Sequence, residues 1–251
     1  MLSEHALSLA LELAGLRAPV RFDEVTRSTQ ETALRMAADG APEWTLVAAG
    51  HQTRGRGRLG RSWRDAPGAA LMFSMVLRPD LPAERGGLLP LLAGAALARA
   101  CEELGGRRAT CKWPNDVLVE GRKAAGILVE SRLTGDRFEH VVLGIGVNLG
   151  TTPPAAFPDA GAVDAGDEDL LGAFLRDFAL RYRADGGDLA GSVVLAYRER
   201  CATLGARVRA RTIPGDLVEG EAVDVDEAGG LVVRTGEGIQ VVRSGEVEHL
   251  G

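Results

Sequence analysis

Ile127-Leu128-Val129-Glu130-Ser131-Arg132-Leu133 and Phe138-Glu139-His140-Val141-Val142-Leu143-Gly144-Ile145-Gly146-Val147 are two apolar-rich runs separated by Thr134-Gly135-Asp136. A short polar turn between two such runs predicts a hairpin, so the strands run antiparallel. Upstream, Val20 to Val25, Trp44 to Ala49 and Leu71 to Leu77 also read as strands. Helices are expected over 3–15, from Ser28 or Thr29 to about Ala38, over 85–104, and over 168–184 and 189–203. Strands and helices do not alternate strictly, so the chain reads as α+β, a mixed or antiparallel sheet with helices.

The texture changes after Gly205. Arg207 to Arg211, Leu217 to Val225, Leu231 to Thr235 and Ile239 to Val242 are short strands with turns at Pro214-Gly215, Gly229-Gly230 and Gly236-Glu237-Gly238. That pattern predicts a small β-barrel. The expected division is a catalytic unit at 1–204 and a barrel at 205–251.

Bulk properties narrow the function. The 251 residues carry a net charge of -6, so the chain is no general polyanion binder and any affinity for phosphate is local. Cys101, Cys111 and Cys201 lack metal-ligand spacing and read as reduced core thiols. The apolar run from Gly86 to Ala98 is too short to cross a bilayer. No signal-peptide pattern opens the sequence. A cytoplasmic protein without membrane partners is expected.

Two stretches carry chemistry. Gly55-Arg56-Gly57-Arg58-Leu59-Gly60 matches G-x-G-x-x-G, but no helix is expected after it, so the dinucleotide reading is rejected. Arg54, Arg56, Arg58, Arg61 and Arg64 instead make an arginine loop over 51–68, expected to be mobile when empty and to order over an anion. Trp63 either stacks on a base or anchors the loop. The second stretch holds Lys112 and Lys123, the only two lysines among 29 Lys and Arg residues. An ammonium is a compact charge with a tunable pKa, which a guanidinium is not. Lys112-Trp113-Pro114-Asn115-Asp116 adds two polar side chains to a rigid turn. Asp116 offers oxygen to Mg²⁺ or opens the next strand with an Asx turn. Asn148, closing the Gly144-Ile145-Gly146-Val147 strand, faces a base edge or a turn.

Together with Ser28-Thr29, Gln52, Arg61-Ser62-Trp63 and Lys123-Ala124-Ala125-Gly126-Ile127-Leu128, these motifs closely resemble those of the biotin–protein ligases over roughly residues 20–251. The resemblance implies a class II synthetase-like catalytic domain with an SH3-like barrel. It implies that biotin is activated by ATP to biotinyl-AMP, with Mg²⁺, and passed to a lysine of a biotin carboxyl carrier domain. By the same resemblance Ser28, Thr29, Gln52, Arg56, Gly57, Arg58, Lys123 and Gly126 bind biotin. Lys123, Arg58 and Arg61 serve catalysis. Lys112, Asn115, Asp116 and Asn148 bind ATP, Asp116 meets the metal, and the loop 149–166 closes over the nucleotide. Gln30 stands where the family often has Asn and is left out of the site. Only about 20 residues precede the first catalytic strand, so the monofunctional type, with no nucleic-acid partner, is expected; a homodimer is possible in this family. A lipoate or octanoate ligase of the same architecture, and a nucleic-acid binder using the arginine loop, are the alternatives.

Overall fold

The computed structural model describes residues 2–65, 68–151, 160–183, 189–213 and 215–250. Its main sheet has seven strands: β1 (Val20–Thr26), β2 (Leu46–Gln52), β3 (Ala70–Leu77), β4 (Ala109–Lys112), β5 (Asp116–Val119), β6 (Arg122–Thr134) and β7 (Arg137–Asn148). Their order is β1-β2-β3-β7-β6-β5-β4, with β1 and β2 parallel and every other pair antiparallel. The expected hairpin is thus the centre of a mixed sheet.

The helices are α1 (Glu4–Leu13), α2 (Thr29–Ala38), α3 (Leu88–Gly105), α4 (Asp167–Arg183) and α5 (Leu189–Arg198). Alternation along the strands sorts them onto two faces. Leu46 and Ala48 of β2, and Leu71, Phe73, Met75 and Leu77 of β3, belong to the large core shared with α1, α3, α4 and α5. Val47, Val76 and Val142 point the other way, onto Ala33 and Ala37 of α2. Among the described residues α2 is the one helix in that second core, and with 10 residues it is short. Beyond its N-terminus the sheet continues with Ser74 opposite Gly144 and Met72 opposite Gly146. Ser74, Gly144 and Gly146 stand there in place of larger apolar residues, which leaves room for a cavity.

The C-terminal segment forms β8 (Arg207–Thr212), β9 (Leu217–Val225), β10 (Leu231–Thr235), β11 (Gly238–Val242) and β12 (Gly245–His249). They make an antiparallel sheet in the order β11-β10-β9-β8-β12, consistent with an SH3-like barrel. Its Val208, Ala210, Val218 and Val233 are buried in the same core cluster as the main sheet's residues. Trp113 ties the two sheets together: its indole N–H donates to the Gly229 carbonyl at 3.0 Å and its backbone N–H to Thr203 Oγ1 at 3.0 Å.

Four details differ from the sequence reading. Trp44 has φ 69 and is not extended, so β2 starts at Leu46 and carries Gln52 as its last residue. α5 stops at Arg198, because residues 200–202 bond β4 instead: the Cys111 N–H donates to the Arg200 carbonyl at 2.7 Å and the Ala202 N–H to the Cys111 carbonyl at 2.8 Å. β6 begins at Arg122, five residues before the expected Ile127, which puts Lys123 on a strand; Glu120 and Gly121 make the turn before it with φ 50 and 76. Last, β12 is a fifth C-terminal strand, which its alternating Glu246 and Glu248 disguise as loop. All three cysteines are free and buried, and burial raises the Cys101 thiol pKa to about 12.

Candidate active site

The cavity at the α2 N-terminus has a volume of about 120 Å³. Ser28, Thr29, Gln52, Arg56, Gly57, Arg58, Arg61, Lys123 and Gly126 all line it, so nine of the candidate residues, from four separate stretches, meet at one cavity. Asn115 joins them.

Its floor is a closed polar network. The Thr29 backbone N–H donates to Gln52 Oε1 at 2.8 Å, and the Thr29 hydroxyl reaches the same oxygen at 3.2 Å. Thr29 Oγ1 and Ser74 Oγ lie 2.9 Å apart; the Ser74 hydroxyl donates to Gln30 Oε1 at 3.1 Å, and Gln30 Nε2 donates to the Val142 carbonyl at 3.1 Å. Ser28 differs. Its hydroxyl is buried without a partner, although it occupies the N-cap of α2, where a side chain usually bonds the first turn. A buried hydroxyl left unmatched is costly, and here it borders the cavity.

Gln30, excluded on sequence, belongs to this site. It is 3% exposed and lines the cavity. A Cβ at Gly144 would overlap its Oε1, so the Gln30 side chain needs a glycine opposite. Ser74 was also missed. The signal was present: it is the single hydroxyl in the apolar run Leu71-Met72-Phe73-Ser74-Met75-Val76-Leu77. Ser74→Ala is expected to leave Thr29 and Gln30 each short of a buried partner. It should lower stability by about 1–3 kcal/mol in chemical unfolding. A loss within error would mean that the network repairs itself.

The arginine loop, expected to be mobile when empty, is a hairpin in this structure. The Gly57 N–H donates to the Arg61 carbonyl at 2.7 Å, the Trp63 N–H donates to the Gly55 carbonyl at 2.9 Å, and Arg56 and Ser62 form an antiparallel bridge. The physical reason is that carboxylates and carbonyls meet the arginines. Arg56 pairs with Glu130 at 2.7 Å and Arg61 pairs with Glu246 of β12. Arg58 donates to Asn115 Oδ1 at 3.1 Å and to the Gly245 carbonyl at 3.3 Å. Burial lowers the Arg58 guanidinium pKa from its usual value, while Asp116 opposes that. Trp63 anchors the hairpin. Its indole lies on the cross-strand pair Gly126 and Gly146, where a Cβ at Gly146 would sit 2.5 Å from the ring.

A second cavity of about 220 Å³ adjoins the first through Arg58, Arg61 and Asn115. Lys112 and Asp116 line it with residues of β8 and β12. Lys112 and Asp116 face each other across β4 and β5, joined by a turn with a cis Trp113–Pro114 bond. Lys123 Nζ is 2.7 Å from Asp116 Oδ1. No group of three or more His, Cys, Asp or Glu side chains converges among the described residues. One carboxylate beside an amide fits a Mg²⁺ held mostly by phosphate oxygens and water. It does not fit a resident metal cage.

Asn148 lies in neither cavity. Its Nδ2 donates to the Gly161 carbonyl at 3.1 Å, and its own carbonyl accepts from the Val163 N–H at 3.0 Å. Of the expected closing loop 149–166, residues 152–159 lie outside the described residues.

The mixed sheet with its C-terminal barrel is the fold of a protein ligase. The family model "Biotin/lipoate A/B protein ligase family" matches residues 22–148, and "Biotin protein ligase C terminal domain" matches 203–250. The chain is 35% identical over 258 residues to the bifunctional ligase/repressor BirA of Bacillus subtilis, covering 98% of this chain and 79% of that protein. It is 37% identical over 239 residues to the biotin–[acetyl-CoA-carboxylase] ligase of Mycobacterium tuberculosis, covering 90% and 86%. Among solved structures, the biotin protein ligase from Aquifex aeolicus in complex with biotin and ATP matches with a TM-score of 0.72 and 28% identity, over 92% of this chain and 97% of that one. The chain belongs to the biotin/lipoate A/B protein ligase family.

Proposed function

We propose that this chain is an ATP-dependent biotin–protein ligase. The observation that carries this reading is the pair of joined cavities. One ends in an unpartnered buried serine hydroxyl and a polar network; the other is lined by five cations and three carboxylates, Asp116, Glu246 and Glu248. The first suits a small polar acid, the second a nucleotide.

In this reading Ser28, Thr29, Gln52, Gly57 and Gly126 hold biotin, with Arg56 and Arg58 closing over it. Lys123, Arg58 and Arg61 face the carboxylate and the α-phosphate. Lys112, Asn115 and Asp116 receive the polyphosphate, and Asn148 the adenine. A carboxylate oxygen of biotin bonds to the α-phosphorus, and the bond from phosphorus to pyrophosphate breaks with its electron pair. A lysine amine of a biotin carboxyl carrier domain then bonds to the acyl carbon, loses a proton, and AMP leaves. Both steps gather negative charge on oxygen, and fixed cations stabilise it without a covalent intermediate on the enzyme. Mg²⁺ accompanying ATP would screen the phosphates, with Asp116 as its protein ligand. Residues 1–204 form the catalytic unit in this scheme and 205–251 the barrel.

The test is ATP–pyrophosphate exchange in the presence of each candidate acid. Exchange dependent on biotin is expected. Exchange supported by lipoate or octanoate, and not by biotin, would overturn the assignment. The arginine hairpin gives a second readout. Limited trypsin digestion should cut at exposed Arg54 and Arg64 first, and saturating biotin with ATP and Mg²⁺ should slow the cut. Equal cleavage with and without ligands would mean that the hairpin does not close over substrate.

A further inference from the structure

The second cavity is lined by five cations, Lys112, Arg58 and Arg61 from the main sheet and its loop and Arg209 and Arg211 from β8, and by three carboxylates, Asp116, Glu246 and Glu248, which pair with Lys123, Arg61 and Arg209. Most are occupied within the protein. Arg58 serves Asn115 and the Gly245 carbonyl, Arg61 serves Glu246, and Arg209 pairs with Glu219 at 2.5 Å. Arg211 is different, and the reason lies in the register. In the barrel it stands directly opposite Glu246, the natural cross-strand partner. The Glu246 carboxylate turns instead to Arg61 on the active-site hairpin. Among the described residues, neither Arg211 nor Lys112 has a carboxylate within ion-pairing distance. One uncompensated cation from each sheet therefore faces the same cavity, on the far side of Arg58 and Arg61 from the acid-binding cavity.

We infer that Arg211 is a binding residue for the polyphosphate of the nucleotide, acting with Lys112 on the β- and γ-phosphates. The inference rests on the ligase reading and adds a residue of the barrel to it. When the bond between the α-phosphorus and the bridging oxygen breaks, the electron pair goes to pyrophosphate. Arg211 and Lys112 stand where that charge grows. A guanidinium can hold two phosphate oxygens at once, which suits a group that must be retained until the acyl-adenylate has formed. By diverting Glu246, the closed hairpin is what leaves Arg211 available, so closure over the acid and capture of the polyphosphate are coupled through one carboxylate.

The experiment compares Arg211→Ala and Arg211→Lys with the unaltered chain. Arg211→Ala should raise KM for ATP in biotin-dependent pyrophosphate exchange about tenfold, a loss typical of a hydrogen bond to a charged group. Arg211→Lys should recover part of it. Biotin affinity, and transfer from supplied biotinyl-AMP to an acceptor domain, should be unchanged, since neither involves the polyphosphate. Inorganic pyrophosphate is the direct probe: calorimetric titration of the free protein should show weaker binding in Arg211→Ala. An unchanged KM for ATP with unchanged pyrophosphate binding would overturn the inference. So would an equal loss in the transfer step, which would mark Arg211 as structural. If the unaltered chain bound pyrophosphate but showed no biotin-dependent exchange, the ligase reading would fail and the anion site would stand.

Discussion

Replacing Lys123 by alanine is expected to slow formation of the acyl-adenylate by about two to three orders of magnitude, the loss usual for a preorganised partner of transition-state charge. Three observations converge on this residue. It is one of two lysines in a chain that otherwise uses arginine for every positive charge. It projects from β6 into the cavity lining, three residues before Gly126. Its ammonium is 2.7 Å from Asp116, the residue assigned to the metal-bound polyphosphate. That contact places a positive charge where the acid's carboxylate must approach an anionic phosphate. Without it the two anions repel, and Asp116 loses its ion-pair partner beside them. Lys123→Arg should also be impaired, because a planar fork one atom longer cannot occupy a point-charge position between Asp116 and the ligand. Single-turnover adenylation separates this step from transfer. Lys123 is 46% exposed at its side chain, so folding stability should hardly change and any loss reports on chemistry. Turnover near that of the unaltered chain in both variants would remove Lys123 from the mechanism.

The sequence made the central hairpin, the α+β class and most of the cavity lining legible, each for a physical reason. Gly144-Ile145-Gly146-Val147 alternates as a strand must, and the structure turns the glycines to the cavity and Ile145 and Val147 to the core. The two lysines stood out because their composition was anomalous. What stayed hidden was determined by tertiary contact. Nothing local marks Glu246 as the partner of a loop 185 residues away, and an arginine-rich loop reads as self-repelling until the partners Glu130 and Glu246 are seen. β12 was invisible for the same reason, since its outward glutamates match a solvated turn as well as an edge strand. Gln30 was set aside because its type departs from the usual residue. Its position, one residue after Thr29 at the start of α2, would have kept it in, because the first residues of a helix share one opening.

Gly55→Ala is expected to reduce biotin-dependent adenylation about a hundredfold while leaving the fold intact, because small displacements of positioned groups carry costs of that order. A Cβ built at Gly55 falls 2.5 Å from the backbone carbonyl oxygen of Trp63. Side-chain rearrangement cannot relieve that contact, since the obstacle is main chain. The hairpin must open at its base, where the Trp63 N–H bonds the Gly55 carbonyl at 2.9 Å. Everything beyond that point moves with it. Arg58 loses its line to Asn115, Arg61 its line to Glu246, and the Trp63 indole its seat on Gly126 and Gly146. The added methyl also comes to 3.3 Å from Gln52 Nε2, so its effect reports on the hairpin together with the Gln52 amide it supports. Gly60→Ala is the control. Gly60 has φ +74 with nothing within 4 Å of an added Cβ, so alanine there strains one turn residue but blocks no contact. A loss of only a few-fold is expected. Thermal unfolding should be little affected by either change, because both lie in a hairpin outside the two core clusters. Trypsin should cut Gly55→Ala faster than the unaltered chain, and biotin should protect it less. If Gly55→Ala adenylates biotin at the rate of Gly60→Ala, the closed hairpin is not the catalytic conformation, and the coupling between Glu246, Arg61 and Arg211 loses its foundation as well.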